Sequence, residues 1–294
     1  MPADTALPSS TLVSGKSNAR AALIVLAAFA VFSGTDAMVK LLSARLAVPQ
    51  VTVMITATAL VLLCLQSAVM GTGRTLVPRY PGLAFLRALL LAGDTLLIYY
   101  AFAMLPLAEA YLLAFLTPVL VAILAFVLLG ERLSAIAWGG VLIGFLGVAV
   151  ALQPGVAPLN SGHAAALGSA LLFALSLILL RCTKAAESDR ALVASLLVVL
   201  TIMAFVVAIA NGGLVAVTAF ECLVAFGAGL LLLAGHALLV RAFRTGDAAV
   251  VSSFQYSQII WGCLYGSVLF AAPIELHTLA GAGIIILSGW LVLR

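Results

Sequence analysis

The 294-residue chain is 65% hydrophobic and only 8% charged, with a net charge of +4 and a mean hydropathy of +1.29. A soluble domain carries about 25% charged residues, so this composition excludes a water-covered globule and implies an all-α polytopic membrane protein. The length suits one membrane domain without a separate soluble one. The location of the positive charges accounts for the net charge better than a nucleic-acid partner does.

Residues 1–18, rich in Ser, Thr, Ala and Pro, read as a disordered cytoplasmic tail. They are not read as a signal peptide, because no small-residue cleavage site sets off the first apolar run. A bilayer core about 30 Å thick needs about 20 helical residues. Backbone facing lipid must satisfy its own hydrogen bonds, so apolar runs of that length are helices. Cutting at Gly, Pro and charge clusters predicts ten: 20–45, 50–70, 82–104, 108–129, 134–152, 162–183, 190–210, 219–241, 247–270 and 275–293.

The first span holds Ser33-Gly34-Thr35-Asp36, a weak point where a helix can bend or expose backbone, and Lys40 lies nearer its outer end. The third holds Asp94 about 13 residues from its start, roughly 20 Å along the axis, with Arg87 nearer the end and Tyr99 beyond. The fourth contains Tyr111 and Pro118; the proline is expected to kink the helix and to serve as a hinge, or to be a tolerated membrane proline. In the fifth, Gly140, Gly144 and Gly147, together with Gly281 and Gly283 in the tenth, suit close helix packing. The eighth holds His236. The ninth carries Gln255, Gln258 and Trp261, with Gln258 and Trp261 in helical register with Phe254. Trp138, Trp290 and Tyr100 suit interfacial belts. The four cysteines have no metal-like spacing and read as small core residues.

Orientation follows from Lys and Arg. With the N-terminus inside, Lys16, Arg20, Arg74, Arg79, Arg132, Arg181, Lys184, Arg190, Arg241, Arg244 and Arg294 are cytoplasmic, and the outer loops hold only Arg45. Both termini are then cytoplasmic. Sliding the sequence on itself by 141 residues aligns all ten spans: Phe32 meets Phe173, Lys40 meets Arg181, Ala84-Phe85 meets Ala225-Phe226, and Gly140 meets Gly281. Each half has an odd number of helices, so the expected architecture is ten transmembrane helices as two inverted five-helix repeats, 19–152 and 161–294. Secondary transporters use such repeats, with the substrate near mid-depth at their interface.

The motif evidence lies between the fourth and fifth spans. Pro118 is followed by Leu129-Gly130-Glu131-Arg132-Leu133-Ser134 and then by Gly140, Gly144 and Gly147. With the inverted repeat, this resembles the drug/metabolite transporter superfamily, in particular its EamA-type exporters. Within it, the chain looks most like the YddG-type amino-acid exporters of bacterial inner membranes. The second half reads Ala271-Ala272-Pro273-Ile274 where the first has Gly-Glu, which argues against a symmetric role for Glu131. The resemblance implies a fold covering 20–293 and sets the ninth span and Phe115-Leu116-Thr117-Pro118 against a central cavity.

Ionisable groups in a bilayer face a cavity or a partner. At the 141-residue shift Asp94 aligns with Gly235 and His236 with Thr95. The two are therefore expected at one depth, lining one cavity and able to approach each other. They either polarise the cavity for a zwitterionic amino acid or relay a proton, or else form a buried pair that fixes packing. The expected cavity set is Asp94, His236, Tyr99, Gln255, Gln258, Trp261, Tyr111, Asp36 and Ser33. Aromatic walls with a few amides suit an apolar or aromatic side chain on a small polar head.

The leading expectation is export of amino acids, apolar, aromatic or small and neutral, or of related metabolites by alternating access, with facilitated diffusion or proton coupling. Carriers of nucleotide sugars, other metabolites or drugs are the alternative, although no paired Lys or Arg lies deep enough for polyanions. An intramembrane enzyme would need His-Glu-x-x-His, Gly-x-Ser-x-Gly or catalytically spaced carboxylates, and none occurs. A seven-helix receptor conflicts with ten spans. No cofactor or metal is expected; the partners are a small-molecule substrate and the lipid bilayer.

Overall fold

Prolines mark several of the helix starts. The computed structural model describes residues 11–129, 135–152, 158–182, 188–245, 257–273 and 276–292. Helices α1 (Thr11–Leu42), α2 (Val48–Val69) and α3 (Pro81–Met104) come first. Pro49 and Pro81 sit in the first turns of α2 and α3, where a missing N–H costs nothing. Helix α3 stops before Leu105-Pro106, because a residue preceding proline is pushed out of helical geometry. Then follow α4 (Leu107–Ala114), α5 (Thr117–Leu129), α6 (Ala135–Leu152), α7 (Ser161–Cys182), α8 (Asp189–Ala210), α9 (Ala219–Thr245), α10 (Gln258–Phe270) and α11 (Leu276–Val292).

Helix α1 begins at Thr11, inside the stretch expected to be a disordered tail. A nucleated helix extends cheaply through residues of fair propensity. At Pro118 a break replaces the expected kink. A helix crossing this point would need the proline nitrogen to donate to the Ala114 carbonyl, and proline has no proton to give. The Thr117 hydroxyl bonds that carbonyl instead, at 2.7 Å, and α5 starts afresh after Phe115-Leu116.

Among the described residues five segments are long and apolar enough to cross a membrane: Leu23–Leu42, Val48–Val69, Pro81–Met104, Asp189–Ala210 and Ala219–Leu239. Shorter apolar helices accompany them. The outward surface is apolar too, with Leu23, Val69, Val268 and Leu276 at least 70% exposed. Exposed apolar side chains on this scale suit lipid rather than water. The protein is a multi-pass membrane protein, and among the described residues its regular structure is all helical.

The helices pack in pairs: α6 on α11, α1 on α9, α3 on α7 and α2 on α8, with α3 also on α8 and α2 on α9. Helices α4 and α5 pack on α7, and α10 packs on α1 and α4. Several bounds recur along the chain. Val48–Val69 and Asp189–Ala210 begin and end 141 residues apart, as do Thr117–Leu129 and Gln258–Phe270. The α6–α11 pair is held by close approach. The Ser288 hydroxyl donates to the Gly140 carbonyl at 2.6 Å, and a Cβ at Gly144 would stand 2.6 Å from the same hydroxyl. Gly147 and Gly281 are buried on these two helices, whereas Gly283 faces open space.

The largest core cluster joins the end of α1, the start of α2, the end of α3 and the α4–α5 break, around Phe102, Leu112, Leu113 and Phe115. That end also carries polar ties across the chain. Arg45 forms a two-pronged ion pair with Glu221, and this hydrogen-bonded carboxylate pushes the guanidinium pKa up, so Arg45 stays charged. The Gln50 amide brackets Val215, donating to its carbonyl at 2.8 Å and accepting its N–H at 3.1 Å. His163 Nε2 meets Glu109 at 2.9 Å.

Candidate functional site

Two carboxylates lie among the crossing helices, and each is held by a hydroxyl. Ser33 and Asp36, three residues apart, share one face of α1. Tyr111 of α4 donates to Asp36 Oδ2 at 2.6 Å. The hydroxyl group of Ser33 is fully buried and adjoins the Tyr111 hydroxyl without closing a hydrogen bond on it. On α3, Asp94 accepts a short hydrogen bond from Ser169 of α7. Asp36 and Asp94 lie within electrostatic reach of each other, and buried Tyr99 lies within reach of both.

The surrounding walls are aromatic. The Tyr111 ring meets Phe102 edge-on at 5.3 Å and stacks on Phe115 at 6.4 Å, and Tyr99 packs on Phe102 at 6.3 Å. Helix α10 closes over Tyr111 because it has glycine there: a Cβ at Gly262 would stand 2.6 Å from the ring. Likewise Gly34 leaves room beside Asp36 for Leu231 of α9 and the Tyr265 hydroxyl of α10.

Nearby cations are engaged elsewhere. Lys40, one turn beyond Asp36, points its ammonium at the carbonyls of Phe102 and Leu105, at 2.8 and 2.7 Å. It satisfies the open end of α3, where the helix dipole favours a positive charge. His236 Nδ1 bonds its own helix at the Leu232 carbonyl, 2.8 Å away, and its ring meets Phe32 edge-on at 5.1 Å. Arg87 interacts electrostatically with His236 and Asp189, and its Nε is buried without a partner.

The expected approach of Asp94 to His236 is therefore replaced by two separate arrangements. Among the described residues the two neither hydrogen-bond nor ion-pair with each other; Asp94 turns to α7 and His236 stays on its own helix. The alignment suggested a shared depth, but it carried no information on the direction each side chain takes. Trp261 packs with Val25, Phe29 and Ala242 at another level of α1, its indole N–H buried and unpartnered. Gln258 opens α10 and is half-buried, while Gln255 lies outside the described residues, as does the Gly130–Ser134 motif. Ser169, Gly262 and Tyr265 were missed, since nothing in a span of small and apolar residues marks which ones face a carboxylate. Among the described residues no group of His, Cys, Asp or Glu is disposed to hold a metal ion.

Comparison with known proteins gives this geometry its context. A crystal structure 20% identical to the chain superposes with a TM-score of 0.66, covering 93% of this chain and 96% of the other, and so shares its fold. The pseudopaline exporter of Pseudomonas aeruginosa is 28% identical over 269 residues, 90% of this chain and 93% of that protein. The riboflavin transporter of Rhizobium johnstonii is 26% identical over 198 residues, 65% of this chain and 63% of that one. Residues 19–153 match the EamA-like transporter family. The first half of the chain thus resembles the EamA-like transporters, and most of its length is similar to a named exporter.

Proposed function

We propose that this chain is an EamA-type transporter that exports amino acids, apolar, aromatic or small and neutral, or related metabolites across a bacterial inner membrane by alternating access. Its ten transmembrane helices form two inverted five-helix repeats, 19–152 and 161–294, with both termini cytoplasmic. The observation that carries the substrate reading is the pair of hydroxyl-held carboxylates, Asp36 and Asp94, under tyrosine and phenylalanine walls. Such a site suits a compact molecule with a polar head and an apolar body.

Support for the inverted repeat comes from packing. Exchanging each helix for its counterpart 141 residues away turns the α1–α9 pair into α7–α3 and the α2–α9 pair into α8–α3, and both members of each exchange occur. The α2–α8 and α6–α11 pairs map onto themselves. The family match, 19–153, spans the same stretch as the proposed first repeat. Alternating access needs one end shut while the other is open. The Arg45–Glu221, Gln50–Val215 and Glu109–His163 ties each join the two proposed repeats and support closure of the end that carries them.

A second reading, favoured by the two relatives, is a different metabolite: one is named for pseudopaline and the other for riboflavin. Counterflow in proteoliposomes with labelled amino acids, with and without a proton gradient, separates the readings. Exchange of at least one amino acid is expected; failure of all of them overturns the substrate assignment and leaves the fold standing. If transport is proton-coupled through Asp94, Asp94→Asn abolishes transport driven by a pH gradient, and a variant that keeps its pH dependence rules that role out.

A further inference from the structure

We infer that Asp36 and Asp94, with the free hydroxyl of Ser33, form a subsite for the ammonium group of the transported molecule. The inference rests on the transport reading above and names the part of the substrate that the site recognises. Two carboxylates lie within reach of each other's charge, one bonded by Tyr111 and the other by Ser169. Both donors are neutral hydroxyls. A carboxylate accepts about four hydrogen bonds, so each acid retains unused acceptor capacity.

Among the described residues neither carboxylate is ion-paired. The three basic side chains nearest in sequence or depth are turned away: Lys40 to the end of α3, His236 to Leu232, and Arg87 to the neighbourhood of His236 and Asp189. Both acids are only half-buried, and a carboxylate pair among membrane helices is costly without a cation. The protein supplies none of its own here, and a bound ammonium would.

The second observation is Ser33. It is fully buried and on the face of α1 that carries Asp36, and its oxygen has no hydrogen-bond partner. A buried hydroxyl left unmade is expensive, and such groups are few in native proteins. An ammonium has three donors in a compact head. Two carboxylate oxygens and the Ser33 oxygen provide three acceptors, and the aromatic walls around Tyr111 and Phe102 receive the apolar remainder. Anionic head groups are repelled by the same pair, which disfavours nucleotide sugars.

Binding to the purified full-length chain tests this, read as the shift in thermal unfolding midpoint with ligand concentration. The probes are phenethylamine, L-phenylalanine, its methyl ester and N-acetyl-L-phenylalanine at constant ionic strength. The three amines are expected to stabilise the protein and the N-acetyl compound, which has lost its ammonium, is not. Asp36→Asn and Asp94→Asn should each weaken amine binding about ten- to a hundredfold, with Ser33→Ala weaker in effect. If either Asn variant does not purify as a monodisperse species, the contrast between amine and N-acetyl compounds on the unsubstituted chain decides alone.

Equal binding of the N-acetyl compound overturns the subsite, as does stabilisation by sodium ions but by no amine. Amine affinity unchanged in both Asn variants, with only pH-gradient-driven transport lost, assigns the acids to the proton and also overturns it. Amino-acid exchange that survives both substitutions sinks the subsite but leaves the transport reading intact. Amine binding that depends on the acids, without exchange of any amino acid, leaves the subsite standing and sinks the amino-acid assignment.

Discussion

The α1–α9 and α3–α7 crossings are built alike and filled differently. Each seats a side chain of one long helix against a glycine of the other, at positions one residue apart in the 141-residue alignment. In the first, the Phe32 ring lies where a Cβ at Gly235 would be, 2.8 Å from the nearest ring atom. In the second, Leu172 occupies the equivalent space at Gly93, 2.9 Å from the Cβ position. The neighbouring residue then decides the chemistry. His236, next to Gly235, bonds its own backbone and offers only a ring edge to Phe32. Asp94, next to Gly93, is held across the crossing by Ser169. One crossing is a packed aromatic joint, and the other carries a polar tie between its helices. Two crossings of like build thus tolerate different chemistry, because packing needs only the glycine and leaves the adjacent position free.

The strongest way to break this comparison is to empty the aromatic joint. Phe32→Ala removes the ring that fills Gly235 and should cost roughly 3 kcal/mol, the low end for such truncations because the ring is only half-buried. Thermal unfolding in detergent reads it, and a loss below about 1 kcal/mol would mean that the joint is not a packing element. Next, Ser169→Ala leaves Asp94 without its donor and should cost about 1–3 kcal/mol. Because Ser169 holds Asp94, amine affinity in the titration above should fall with it; stability loss with affinity intact would reduce the bond to a packing tie.

The finest test compares the two glycines. Gly235→Ala meets a rigid ring and should cost about 1–3 kcal/mol by overpacking. Gly93→Ala meets only the end of a leucine side chain, which can turn aside. Its cost should be smaller than that of Gly235→Ala. Equal losses would show that the two crossings are interchangeable after all.

Much of the fold was legible before any coordinates. Several described helix bounds fell near the expected cuts because prolines, glycines and charges end helices by local rules, as at Pro81 and before Pro106. The fourth span was treated as continuous where two helices, α4 and α5, occur. Its break depends on a hydroxyl, Thr117, that can take over the Ala114 carbonyl, and a neighbouring proline alone does not reveal that. Asp36, Ser33, Tyr99 and Tyr111 were singled out by type and expected depth; Tyr111 bonds Asp36, and Ser33 adjoins Tyr111. Ser169 carried no signal, since serine is common in membrane helices, and its importance lies wholly in what it faces.

The sequence by itself determined the membrane, the helices and the place of each charge along its helix. Lipid offers no hydrogen bonds, so apolar length dictates helix, and a fixed rise of about 1.5 Å per residue turns position into distance along the axis. Tertiary structure alone decided the partners: Tyr111 for Asp36, Ser169 for Asp94, the end of α3 for Lys40, and its own helix for His236. Those choices depend on how each helix is rotated about its axis. In a membrane that rotation is set by how side chains and glycines interlock between neighbours, which no single helix encodes.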